Sequence, residues 1–250
     1  MKRIISILTA ALCVLTASAQ IRIATPGTEL ILKADVGGEP QIQYFGERLL
    51  DTDAANLQAT GVPNHNAYPA YGLWCASEAS LGVTHCDGNM STVLRVESIV
   101  QTDEPTAKVT RIRMKDTVYP FYVTLCYRAY QDVDMIETWT EIENLEKKPV
   151  VLTRFDSGYL PLRAGDVWIS HLHGTWANEG LLVQEPLQRG MRVIKNKDGA
   201  RNSHTDHSEV MFSLDGKPQE NAGHVIGAAF CYSGNYELRV DTKDTDYHEF

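Results

Sequence analysis

From Gln20 onward the chain is patterned almost entirely with period two. In residues 107–114, Val109, Arg111 and Arg113 fall on one face and Thr110, Ile112 and Met114 on the other. In residues 135–143, Ile136, Thr138, Thr140 and Ile142 alternate with Glu137, Trp139, Glu141 and Glu143. Successive side chains of a strand point to opposite faces, so this pattern gives half-buried strands. No segment keeps a helical period over three turns. More than a dozen short strands are expected, separated by turn signals such as Pro26-Gly27 and Gly37-Gly38. Residues 41–45 and 48–50 read as a hairpin around Gly46, and 81–85 and 92–100 as a hairpin around Asp87-Gly88-Asn89. Residues 51–72 read as one long loop, with at most a helical turn near Gln58. The fold class is therefore all-β, a large two-sheet assembly without internal repeats. No linker divides residues 20–250.

The first nineteen residues stand apart. Lys2 and Arg3 precede an apolar run from Ile4 to Thr16, and Ala17-Ser18-Ala19 is a small-x-small site before Gln20. This is the pattern of a cleavable secretory signal peptide. The apolar run is shorter than the ~18 residues of a membrane span. The expected location is secreted or periplasmic. Loss of Lys2 and Arg3 takes the net charge from −9 to −11. Nucleic acid is excluded as a partner, because phosphate binding needs a basic surface. Cys75, Cys86, Cys126 and Cys231 remain after cleavage, available to pair or to stay free and buried. Their spacing fits no zinc pattern. No cofactor is implied, since the phosphate-binding loop, the dinucleotide fingerprint and C-x-x-C are all missing.

Residues 166–207 concentrate the chemically capable side chains: Trp168, His171, His173, Trp176, Glu179, Ser203, His204 and His207. His171 and His173 share a strand face and could hold a metal only with a third ligand, from Glu179, His204 or His207. Trp168, Trp176 and Tyr159 could stack on a sugar ring or fill a core. Asp166 and Glu179 could be drawn as a glycosidase carboxylate pair, though nothing in the sequence sets their separation. Ser203-His204 lacks the G-x-S-x-G elbow of a nucleophilic serine. The residues alone describe an exported β-sandwich with a candidate carbohydrate-binding face.

Four ordered motifs add to this. They are Tyr68-Pro69-x-Tyr71-Gly72, then His85-x-Asp87-Gly88-Asn89, then Asn144 and Ser157, then His171-Leu172-His173-Gly174-x-Trp176-x-x-Glu179 followed by Gly190, Gly199 and Ser203-His204. The series resembles the N-terminal domain of family 36 glycoside hydrolases, the α-galactosidases. The resemblance implies a β-supersandwich of the galactose mutarotase-like kind, spanning residues 20–250 and incomplete at its C-terminal end. In the family a catalytic (β/α)₈ barrel follows, carrying an aspartate nucleophile and an aspartate acid/base. A barrel alone takes about 250 residues, so no catalytic residue is expected here. The implied role is to support the barrel and subunit contacts in a homo-oligomer that hydrolyses α-galactosides with retention. Many relatives carry Asp-Phe-Arg on a loop that reaches a neighbouring active site, where this chain has Cys75-Ala76-Ser77 after Trp74. Trp74, Cys75 and Trp176 are the candidate substrate contacts. The alternative is a stand-alone carbohydrate-binding sandwich. Mass spectrometry of the exported protein should find Gln20 at its N-terminus; an intact Met1 would exclude cleavage.

Overall fold

The computed structural model describes residues 13–14, 19–57, 66–72, 78–201 and 205–250. The chain divides into two compact units, one ending at Tyr159 and one beginning at Leu160. The all-β expectation is met: the strands form antiparallel sheets, and among the described residues the helix is a single short one.

The first unit holds β1 (Cys13–Val14), β2 (Ala19–Ala24), β3 (Thr28–Ala34), β4 (Gln41–Glu47), α1 (Asp51–Ala55), β5 (Leu81–Thr84), β6 (Leu94–Asp103), β7 (Ala107–Asp116), β8 (Phe121–Tyr130), β9 (Ile136–Asn144) and β10 (Val151–Phe155). Its sheets run β2-β3-β4, β1-β6-β7-β8-β9 and β10-β5. Ile21, Ile31, Ile112 and Phe121 are fully buried. The opposite face of the large sheet is wet, as its alternation requires. There Arg113 binds Glu97 at 2.9 Å and Glu143 at 2.7 Å and lies 4.2 Å over the Tyr122 ring. Arg128 binds Glu104 and Glu137 and lies 5.1 Å over Trp139. Cross-strand pairs of this kind hold register on an exposed face.

Two expected hairpins do not form. The Asp87-Gly88-Asn89 turn closes, with the Gly88 amide on the His85 carbonyl at 2.9 Å and Gly88 at φ 91. Its flanking strands part, however: β5 pairs with β10, and β6 with β7. The amides that would continue the hairpin are already engaged. Ser91 donates to Asn89 Oδ1, Thr92 to the Tyr71 carbonyl, and Val93 to Asp116 Oδ2. Nor does the chain turn at Gly46, where β4 runs unbroken along β3. The helical turn after it falls at Asp51–Ala55; residues 58–65, which include Gln58, lie outside the described residues.

The His85 motif is architectural. His85 stacks on Tyr119 with ring centroids 3.8 Å apart. The Tyr119 hydroxyl donates to Asp87 at 2.8 Å and accepts from Asn89 at 3.0 Å. His85 Nδ1 meets Glu146 Oε1 at 2.7 Å, with both side chains essentially inaccessible to water. Burial pushes the Glu146 carboxyl up, but the bonds from His85 and the Cys86 amide outweigh it and hold its pKa below the usual value. A carboxyl with a depressed pKa stabilises the fold above its unfolded value of about 4.3, and that contribution is lost as pH falls through the folded value.

The second unit is a two-sheet sandwich. It holds β11 (Pro161–Arg163), β12 (Trp168–Thr175), β13 (Asn178–Pro186), β14 (Gly190–Asn196), β15 (Asp206–Ser213), β16 (Val225–Ala229), β17 (Tyr236–Asp244) and β18 (Tyr247–Glu249). One sheet runs β11-β18-β17-β14 and the other β13-β12-β15-β16. Ile169, Ile194, Val210, Phe212 and Val240 form the core. Glu146→Ala should cost about 3 kcal/mol of unfolding free energy in urea, because it strands His85 in the interior. Glu146→Gln should flatten the loss of stability as pH falls below about 4.3.

Candidate functional site at the β12–β13 hairpin

β12 and β13 are joined by a two-residue turn at Trp176 and Ala177, with Thr175 opposite Asn178. Below the turn His173 pairs with Leu181, so Glu179 and Gly180 together oppose Gly174. This is a β-bulge, an extra residue that bends its strand and re-aims nearby side chains. It presses directly on Gly174. A Cβ there would lie 2.5 Å from Glu179 Cα and 2.6 Å from the Asn178 carbonyl oxygen. Gly180 takes up the bulge at φ 73. Ala177 has φ 60, the one positive value outside glycine among the described residues. Its amide donates to Glu179 Oε1 at 3.1 Å. Trp176, at the tip, is 81% exposed.

Beneath the hairpin lies a polar cluster. His171 and His173 both approach Asp206: His173 Nδ1 is 2.8 Å from Asp206 Oδ1, and His171 Nδ1 is 3.7 Å from the same oxygen. Arg192 donates to His171 Nε2 at 3.2 Å and to Glu185 Oε1 at 2.5 Å. Since a guanidinium only donates, His171 Nε2 carries the lone pair and Nδ1 the proton. That N–H is buried and lacks a hydrogen-bond partner among the described residues. Burial first, and the Arg192 charge second, lower the His171 pKa, so the ring is neutral. Among the described residues no three His, Cys, Asp or Glu side chains are set to hold a metal. The lone pair of His171 Nε2, the nitrogen a metal would need, is taken by Arg192.

The residues singled out in the sequence therefore separate. Glu179 caps the turn and is not a ligand beside the histidines. His207 lies 3.9 Å from Glu209. Asp166 accepts from the Trp168 indole at 3.2 Å, at the far end of β12. At ~3.3 Å per residue, Asp166 and Glu179 are roughly 25 Å apart, far beyond a glycosidase pair. Trp176 is displayed rather than packed. Trp74, Cys75, Ser203 and His204 lie outside the described residues. Cys86, Cys126 and Cys231 are free thiols, and burial pushes Cys126 up to about 12. Sequence reasoning missed Asp206, Arg192 and Glu185, which come from three strands and share no local pattern with the histidines.

The second unit is thus an all-β sandwich that displays a tryptophan at the tip of a hairpin. Comparison with known proteins places it. Residues 38–249 match the glycosyl hydrolase family 36 N-terminal domain, and the chain belongs to that family. It is 29% identical over 139 residues to α-galactosidase AgaA of Geobacillus stearothermophilus, covering 55% of this chain and 19% of that protein. It is 25% identical over 142 residues to the bifunctional α-galactosidase/sucrose kinase AgaSK of Mediterraneibacter gnavus, covering 57% and 15%. The crystal structure of the Geobacillus enzyme superposes with a TM-score of 0.81 at 21% identity, over 92% of this chain and 36% of that one. The galactosidase domain of AgaSK gives 0.81 at 18% identity, over 95% and 37%. The chain thus spans about a fifth of the length of the relatives its sequence matches. Gly174→Ala should lower stability by about 1–3 kcal/mol in thermal unfolding, because backbone and not a mobile side chain occupies the space.

Proposed function

We propose that the chain is the N-terminal portion of an exported, retaining α-galactosidase that acts on terminal α-galactosides such as raffinose-type oligosaccharides and melibiose. The observation that carries the reading is the family match over residues 38–249, joined to a fold shared with α-galactosidases. Within this reading residues 1–19 are removed on export and residues 20–250 are β-supersandwich. The domain supports a barrel that supplies the two catalytic carboxylates, and it builds contacts between subunits.

The disposition of acids in the second unit supports the absence of catalysis from it. Retaining glycosidases hold two carboxyl groups about 5–5.5 Å apart with an open path to a sugar. Here Asp206 is tied to His173, Glu185 to Arg192 and Glu179 to a backbone amide. Trp176 is the side chain suited to touch a sugar, as an exposed aromatic face can pack on the C–H face of a pyranose. Trp74 and Cys75 are assigned the same role from the loop they occupy in the sequence. The exposure of Trp176 also favours a second reading, a carbohydrate-binding module without a barrel.

One experiment separates the two. The full-length protein should hydrolyse an aryl α-galactoside and release α-galactose first, as seen by NMR, and Trp176→Ala should raise KM for raffinose. Saturable raffinose binding without turnover by the full-length protein would favour the binding module.

A further inference from the structure

The turn that presents Trp176 is built against local preference. Its second residue, Ala177, sits at φ 60, where glycine is the usual occupant and a Cβ is disfavoured. Nothing in the ladder requires an alanine there. The geometry is enforced from three directions. Glu179 Oε1 accepts the Ala177 amide at 3.1 Å. The Gly174 amide donates to the Thr205 carbonyl at 2.8 Å, tying the hairpin base to the residue before β15. His173 and Asp206 join β12 to β15 at 2.8 Å. Both ladders of β12 shift register here, between His173 and Thr175 on one side and between His171 and His173 on the other.

Strained backbone persists where surrounding structure over-determines it, and bulges next to sites re-aim side chains. What this strain holds up is an indole 81% exposed to solvent, which contributes almost nothing to the core. We infer that Ala177 and Glu179 are positioning residues, which fix the Trp176 indole in one orientation to receive the pyranose ring of an α-galactoside. The inference rests on Trp176 touching sugar, as proposed above. A rigid platform binds more tightly than a mobile one, because less side-chain freedom is lost on binding. Glycine at 177 relieves the Cβ but frees the backbone, so stability and binding separate.

The test uses the full-length protein, with raffinose as the probe. Ala177→Gly should raise KM several-fold while the transition temperature stays the same or rises. Ala177→Asn, which tolerates the left-handed region, should keep KM nearer the wild-type value than Ala177→Gly does. Glu179→Gln, a weaker acceptor at the same place, should raise KM in the same direction. If Trp176→Ala raises KM but Ala177→Gly and Glu179→Gln do not, the positioning role is overturned and the sugar contact stands. If Trp176→Ala leaves KM unchanged, the contact reading falls and the inference falls with it.

Discussion

The second unit's most specific feature depends on one missing side chain. Gly174 lets the bulged pair Glu179–Gly180 lie against β12 at a distance that no other residue allows. With the bulge in place, Glu179 sits within reach of the Ala177 amide, the turn closes on two residues, and Trp176 is carried clear of the sheet. The His-Gly-x-Trp-x-x-Glu motif is thus a single mechanical unit. Its glycine makes room, its glutamate locks the turn, and its tryptophan is what the lock presents.

Several buried polar groups elsewhere among the described residues have fixed partners. His85 and Glu146 are shut inside the first unit with Tyr119 stacked on the ring. His248 is held between Thr242 and the Ala164 carbonyl, and burial lowers its pKa. Breaking such a pair is far more costly than never having made it. These residues therefore fix which loops and strands meet, and they are poorly placed for proton transfer to a substrate. The His171 Nδ1–H, buried beside Asp206 at 3.7 Å, is left without a hydrogen bond among the described residues, as are Asp35 Oδ1, Ser80 Oγ and Ser213 Oγ. Arg192 sets that tautomer and occupies the Nε2 lone pair of His171.

Most of the fold was legible because its strands are half-buried, so that Val109-Thr110-Arg111-Ile112 spells its own faces. The Gly37-Gly38 turn and the parting at Pro26-Gly27 appear where the sequence placed them. What failed was partner choice. The turn at Asp87-Gly88-Asn89 is a strong local signal, yet strands β5 and β6 leave it for different sheets, because Asn89, Tyr71 and Asp116 take the amides first. The short strands β11 and β18 pair with each other over three residues and carry too little pattern to be seen. The site was half legible. Trp176 and Glu179 could be marked by their motif. The Asp206–Arg192–Glu185 surround could not, since it assembles only when β13, β14 and β15 gather around β12. Nor could the exposure of Trp176, a property of the bulge and not of the indole.

The chain belongs to a family whose members include α-galactosidases, and its second unit displays Trp176 on a locked hairpin. In the proposed α-galactosidase, the hydrolytic carboxylates lie outside these 250 residues. This is tested most directly by producing residues 20–250 alone, confirming the fold by circular dichroism, and incubating the protein with an aryl α-galactoside. Release of the aryl group should be no faster than in buffer. Turnover that disappears on substitution of one carboxylate, Asp206 or Glu185 for example, would contradict it.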